Sequence, residues 1–372
     1  MASLDGLRAI SILLVMLGHL SGTKGFGTLD LGIGDYARLG VVVFFVISGF
    51  LITSLLISEH DANGSISLKL FYARRSLRIF PASYTYLAIV SLLWLAGFIH
   101  LKPSDLWHSF TYTLNYLPVR SWQVTHLWSL SVEEQFYLLW PFTFAALGSR
   151  KGTWAAVGVI LFGICARIGD RIFLIDTPYH NQPWFPMVAD SLAMGCVLAR
   201  LRGWLEQQRW YLRLFRPGYS LLLLAAILLV FRYRDYTVVS VFGTTVAYLC
   251  LAVLIHRSVY HANDWLGWIL NWPPVAFVGV LSYSLYLWQQ LFLNRSSGAW
   301  VNAFPQNIVF AAAAALASYF VVEKPLLGLR HRLRVRSVHH DAKQNGPVVG
   351  LSPWTAPDAP VRPSLRSPPP AN

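Results

Sequence analysis

RLGVVVFFVISGFLITSLLIS, residues 38–58, carries one charge in 21 positions and no proline. A membrane-spanning helix needs about 20 predominantly apolar residues, with a lower limit of about 17. This stretch meets that length alone. Comparable runs flank it near 7–22, 79–99, 127–147, 154–175, 184–200, 217–232, 237–256, 275–293 and 305–322. A further run, LWHSFTYTLNYL at 106–117, is too short and too polar to count with them. The expected fold class is therefore all-α, a polytopic membrane helical bundle of about ten transmembrane helices.

Composition agrees. Of 372 residues, 55% belong to the AVILMFWYC set and 13% are charged, whereas soluble domains carry about 25% charged residues. So few charges cannot cover a soluble protein of this length. A soluble enzyme, a disulfide-rich scaffold and a disordered chain are set aside. Cys165, Cys196 and Cys250 lie singly in apolar runs and show no metal or disulfide spacing, so no metal is expected. The run Leu7–Leu20 contains Arg8 and His19 and no small-residue cleavage site follows it, so it reads as a retained helix rather than a signal peptide.

The net charge is +13, from 30 Lys and Arg against 17 Asp and Glu. The basic residues cluster between apolar runs, as in cytoplasmic loops, so membrane lipids are expected partners and nucleic acid is not. KLFYARRSLR (69–78) holds Lys69, Arg74, Arg75 and Arg78 and is expected to be cytoplasmic, which puts the N-terminus inside. Arg150 and Lys151, the five arginines between 200 and 216, and Arg330, Arg332, Arg334 and Arg336 then also face inward, provided 106–117 does not cross. Both termini are expected to be cytoplasmic. Residues 100–126 are expected to form an outer loop that dips onto the membrane surface. The domain division is a membrane domain at 1–330 and a basic, then Pro-rich, disordered cytoplasmic tail at 331–372.

Ionisable side chains inside apolar spans are costly and point to function by default. Arg8 and His19 are eleven residues apart, which returns them to one helix face about 16 Å apart along the axis. They read either as catalytic groups or as an inside anchor and an interfacial histidine. In LWSLSVEEQFYLLWP (127–141), Glu133 and Glu134 cannot both face lipid. They line a polar site with Ser131 and Tyr137, or they pair with Arg167 or Arg171 of the next span. His19 and Glu133 fall at comparable depths and are expected to meet. Arg75 and Arg78 are one turn apart, a spacing suited to phosphate, which arginine binds bidentately; an inside anchor is the other reading. Asp170 and Arg171 are expected to pair with each other or with the acidic site. Asp190 is expensive inside its span. Ser48-Gly49 reads as a close helix approach, and Glu323-Lys324-Pro325 as the end of the last span.

LDGLRAISILLVMLGH, FFVISGFLIT, FYARRSLRIFP, WSLSVEEQFYLLWP, SYSLYLWQQ and VEKP occur in this order. Together they resemble the signature segments of the acyltransferase-3 family of integral-membrane acyltransferases, from about Leu4 to about Leu327. The resemblance implies a ten-helix domain in a bacterial plasma membrane. It implies transfer of an acyl group, most often acetyl, from cytoplasmic acyl-CoA (acetyl-CoA) to a hydroxyl of a carbohydrate acceptor. The family's Arg-x10-His motif falls on Arg8 and His19, with His19 catalytic. Its Arg-x-x-Arg motif falls on Arg75 and Arg78, which would help hold the CoA phosphates, and its Ser-x-Glu motif on Ser131 and Glu133. Many relatives have histidine where this chain has Gln289, so position 289 is not expected to be essential. Some relatives carry a hydrolase-like extramembrane domain that this sequence does not show, so any role of that domain in orienting the acceptor is expected to be absent or supplied in trans.

The candidate catalytic residues are thus His19, Glu133 and Arg8. Arg75 and Arg78 are the donor-binding candidates, and Ser131, Glu134 and Tyr137 the substrate-binding candidates. A neutral imidazole near pKa 6.5 suits deprotonation of a sugar hydroxyl. Glu133 would orient His19, as a buried carboxylate does in hydrolytic triads. An acyl-histidine intermediate is the other route. The alternative function is a proton-coupled exporter of a glycolipid or small molecule, which would bind no acyl-CoA.

Overall fold

The computed structural model describes residues 3–29 and 35–328. The tail expected at 331–372, and Arg330 before it, lie outside the described residues. Among the described residues all regular structure is helical.

The first three helices are α1 (Leu4–Leu20), α2 (Tyr36–Asn63) and α3 (Leu68–Leu95). Asp35 caps α2 by accepting the amide of Arg38 at 2.9 Å, which satisfies one of the orphan donors of a helix start. The turn from α2 to α3 runs through Gly64 at φ 69°, a left-handed position that glycine occupies without a side-chain clash. Two short helices follow, α4 (Pro103–Phe110) and α5 (Trp122–Thr125), with a 3-10 turn at Leu114–Tyr116 between them. Then come α6 (Leu127–Phe173), α7 (Phe185–Leu205), α8 (Arg209–Arg213) and α9 (Pro217–Arg232). A π-helical turn at Val239–Gly243 leads into α10 (Thr244–Tyr260), followed by α11 (Trp265–Leu270), α12 (Pro273–Phe292) and α13 (Gln306–Ser318). Prolines open α4, α7, α9 and α12, where the missing N–H costs no helical hydrogen bond.

Every one of the ten apolar runs lies on a helix, but among the described residues fewer than ten helices are long and apolar enough to cross a membrane. Five are, within Ala37–Asn63, Leu68–Leu95, Trp122–Phe173, Val239–Tyr260 and Gln306–Gly328. A sixth is added if the two halves of α12, bent by 68°, form one span. The shortfall has local causes. α1 has 17 residues and carries Asp5 and Arg8. α7 carries Asp190, Arg200 and Arg202. The runs at 127–147 and 154–175 fall on the single helix α6, which breaks at Gly148 with φ 72°. Large apolar side chains, among them Leu138, Phe142, Leu221, Leu222 and Val321, face outward. Such an apolar exterior on a folded chain suits a lipid environment rather than water.

Helix α2 packs against α7 at very close range. A Cβ at Gly49 would overlap the backbone carbonyl of Leu192, and one at Gly195 would overlap the backbone of Val46 and Phe50. Small residues at such crossings are the usual means of close helix association in membranes, and the Ser48-Gly49 expectation holds on the glycine side.

Two expectations are corrected. The 100–126 segment does not simply lie on a surface. Asp105, Leu114 and Asn115 are fully buried, Asp105 accepts the amide of Ser121 at 2.7 Å, and Gln135 of α6 donates to the carbonyl of Tyr112 at 2.8 Å. Its polar groups have specific partners that hydropathy does not register. Proline 325 does not stop the last helix either. A π-helical turn at Tyr319–Glu323 precedes it, and the chain stays helical to Gly328. Proline disrupts a regular i to i−4 ladder, and a π turn is a place where that ladder is already shifted.

Candidate active site

The last turn of α1 presents His19, half-buried, toward α5 and α12. Its Nδ1 lies 2.8 Å from Oε1 of Gln289, and its ring meets the edge of Trp122 at a centroid distance of 5.5 Å. Among the described residues Nε2 makes no hydrogen bond. The guanidinium of Arg295 lies 5.9 Å over Trp122 and donates to the carbonyl of Gly18 at 3.1 Å. α12 supplies the other polar groups of SYSLYLWQQ. Tyr283 donates to the carbonyl of Ile79 at 2.8 Å, Tyr286 to that of His126 at 2.7 Å, and Ser284 to Glu323. These three hold helices together, whereas Gln289 turns to His19.

A second polar cluster forms where α2, α3 and α6 meet. Ser48 donates to Oε1 of Glu133 at 2.6 Å and accepts from the hydroxyl of Tyr137 at 2.9 Å. The guanidinium of Arg75 lies 3.6 Å over the Tyr137 ring, a close cation–π contact. Arg75 forms no salt bridge among the described residues, and its Nε is buried without a partner, as is Oε1 of Glu134. Arg74 is the arginine of this run that is neutralised, by Glu59 at 3.0 Å. Arg78 lies within electrostatic reach of Glu323. Arg75 and Arg78 are half-buried rather than splayed into solvent.

The structure thus joins some expected residues and separates others. Glu133, Glu134, Tyr137 and Arg75 share one cluster. Glu133 pairs with Ser48, and the partner of His19 is Gln289, so the expected Glu133–His19 contact is replaced by two separate pairs. Arg8 is three turns from His19 and binds Asp5 at 2.8 Å. The hydroxyl of Ser131 is committed to the carbonyl of Leu127 on its own helix at 2.9 Å. Neither Arg167 nor Arg171 reaches the glutamates. Arg167 pairs with buried Asp190 at 2.9 Å, and Arg171 donates to Ser240 at 3.0 Å. Asp170 accepts the amide of Asn181 at 3.3 Å and lies 2.8 Å from Nδ1 of His180 rather than pairing with Arg171. Asp5 and Leu127 are one turn away on the same helices, whereas Gln289, Ser48, Asp190 and Ser240 come from other segments that spacing along the chain cannot bring into view.

Sequence reasoning passed over two residues here. His126 is buried and packs at 5.4 Å from Tyr86 and 5.3 Å from Tyr286. Its signal was a histidine directly before the LWSLSVEEQ segment. Ser48, in sequence a small residue beside Gly49, bridges Glu133 and Tyr137. Among the described residues no group of three or more His, Cys, Asp or Glu side chains is placed to hold a metal ion.

Comparison with known proteins bears on what this arrangement is for. A Staphylococcus aureus (strain MSSA476) protein provisionally named an O-acetyltransferase is 32% identical over 314 residues, which is 77% of this chain and 50% of that protein. The peptidoglycan O-acetyltransferase OatA of Listeria monocytogenes is 26% identical over 357 residues, 86% of this chain and 53% of its own length. A Bacillus subtilis protein provisionally named a peptidoglycan O-acetyltransferase is 26% identical over 362 residues, 87% of this chain and 54% of its own. The chain spans about half the length of these curated relatives. No solved structure matches it. The acyltransferase-domain family matches residues 1–322, the span that holds both polar clusters, and the chain belongs to this acyltransferase-3 family.

Proposed function

We propose that this chain is an integral-membrane O-acyltransferase that moves an acetyl group from cytoplasmic acyl-CoA to a hydroxyl of a carbohydrate acceptor. The observation that carries the reading is His19, held at Nδ1 by Gln289 with Nε2 making no hydrogen bond among the described residues. An imidazole fixed on one nitrogen and open on the other is arranged for proton transfer or nucleophilic attack. The open nitrogen takes the proton of the acceptor hydroxyl while that oxygen attacks the thioester carbonyl. The carbon–sulfur bond then breaks, and the departing CoA thiolate recovers the proton from the imidazolium. The covalent route uses the same nitrogen as nucleophile.

Arg75 is the donor-side group. Among the described residues it forms no salt bridge, though its charge acts on buried Glu134; it rests on Tyr137 with a buried, unsatisfied Nε, and a phosphate oxygen would complete it. Arg78 adds charge one turn away. Glu133, Glu134, Ser131 and Tyr137 are assigned to the substrate side, and Arg8 to the charge of the inner rim. In this reading the ten helical runs cross the membrane ten times, with both termini cytoplasmic. The bacterial relatives support the plasma membrane as the location. The peptidoglycan in two of their names supports a carbohydrate as the acceptor.

Acetyl-CoA binding to purified protein in nanodiscs tests the donor assignment. Saturable binding that Arg75→Ala/Arg78→Ala loses is expected. A folded wild-type protein that binds no acyl-CoA would refute it.

A further inference from the structure

We infer that Gln289 is a positioning residue that fixes His19 in the tautomer with its proton on Nδ1, and that Gln290 and the backbone of Trp122 lock Gln289 in the orientation this requires. The inference rests on the acyl-transfer reading for its catalytic consequence, but its structural content stands on hydrogen bonds alone.

The chain of constraints starts at groups whose roles are fixed by chemistry. The backbone carbonyl of Trp122 can only accept, and the atom facing it at 2.8 Å is therefore the amide nitrogen of Gln290. That leaves Oε1 of Gln290 facing Gln289, so the atom of Gln289 that meets it at 3.2 Å is the amide nitrogen. A second acceptor-only group, the carbonyl of Tyr286, lies 3.4 Å from the same nitrogen. Turning the Gln289 amide over would set its oxygen against two acceptors. Both glutamines are fully buried, so water does not relieve such a mismatch. The oxygen of Gln289 is thereby committed to His19, and Nδ1 of the ring must be the donor across 2.8 Å. In neutral imidazole one proton is shared between two nitrogens. With that proton on Nδ1, the lone pair sits on Nε2, the atom that makes no hydrogen bond among the described residues.

Trp122 closes the circuit. Its indole nitrogen donates to the carbonyl of Gln290 at 2.9 Å while its ring abuts His19. The same residue therefore anchors the far end of the glutamine relay and walls the imidazole. Among the described residues the charged groups whose fields reach His19 are Arg295 and Asp35, and His126 is the neighbouring imidazole. None of them is hydrogen-bonded to the ring, so the tautomer is set by Gln289.

The test is nitrogen NMR of 15N-histidine protein in nanodiscs, with the His19 resonances assigned by their loss in His19→Ala. The expected result is a protonated Nδ1 and unprotonated Nε2 in the wild type. Gln289→Leu should give a mixture or the other tautomer. Gln290→Leu, remote from the substrate, should weaken the preference. Acetyl transfer is followed in parallel. Gln289→Leu should lower kcat by about 100-fold or more, the scale of losing a correctly protonated general base, with KM for acetyl-CoA unchanged. A wild-type His19 protonated on Nε2, or Gln289→Leu with unchanged tautomer and kcat, overturns the inference. A wild type with the expected tautomer but no acetyl transfer refutes the function and leaves the inference supported.

Discussion

The guanidinium carbon of Arg75 lies 3.6 Å from the centroid of the Tyr137 ring, so α3 and α6 meet at a cation on an aromatic face. The contact makes Arg75 part of an internal cluster rather than a loose inner anchor. It also ties the donor-side arginine to Ser48 and Glu133 through the Tyr137 hydroxyl.

Removing the ring should therefore weaken donor binding through Arg75. Desolvated cation–π contacts contribute about 0.5–2 kcal/mol. Tyr137→Ala is expected to raise the Kd for acetyl-CoA by roughly 2- to 30-fold, and Tyr137→Phe, which keeps the ring, to leave it within about twofold. Isothermal titration of the two variants checks this. Equal effects would assign the contribution to the hydroxyl instead.

Ser48 provides a separate handle on Glu133. Its hydroxyl donates to the carboxylate at 2.6 Å, and hydrogen bonds to charged groups contribute about 1.5–3 kcal/mol. Ser48→Ala is expected to lower kcat by about 10- to 100-fold while acetyl-CoA affinity holds, because Arg75 keeps its platform. Steady-state transfer assays with binding measured alongside distinguish the two. An unchanged kcat would remove Glu133 from the reaction.

The Arg167–Asp190 pair predicts a stability effect away from the chemistry. Asp190 is fully buried, and Arg167 also donates to the carbonyls of Val241 and Met187 at 3.1 and 3.0 Å. Breaking a buried pair by removing one partner costs about 3–5 kcal/mol. Asp190→Ala should lower the Tm of the detergent-solubilised protein strongly. Replacing both partners with apolar residues should lower it less than either single change. A double variant as unstable as the sum of the singles would show that the two do not act as a pair.

The Gly49 crossing gives the sharpest packing test. Even a methyl there overlaps the carbonyl of Leu192, and overpacking a tight core costs about 1–3 kcal/mol. Gly49→Ala should lower Tm. A Gly49→Ala protein as stable as wild type would mean that α2 and α7 separate freely.

Much of this could be read in the sequence, because the bilayer acts on local composition. Each apolar run became a helix, and the costly ions at Glu133, Glu134 and Arg75 gathered in one polar cluster. What could not be read was pairing between distant segments. Gln289 meets His19 across 270 positions, and Arg167 chose Asp190 over the glutamates because α7 packs beside its helix. Depth arguments place residues at the same level but do not say which helix stands next to which. The 100–126 segment shows the same limit. Its buried Asp105 and Asn115 are polar, so hydropathy read them as surface.

The account stands or falls on transfer chemistry at His19. The most direct measurement follows acetyl label from acetyl-CoA into a glycan acceptor, using wild-type protein and His19→Ala in nanodiscs at equal folded amounts. Label should appear in the acceptor with the wild type, and should be absent with His19→Ala even though that variant still binds acetyl-CoA. Transfer by His19→Ala at the wild-type rate would contradict the assignment.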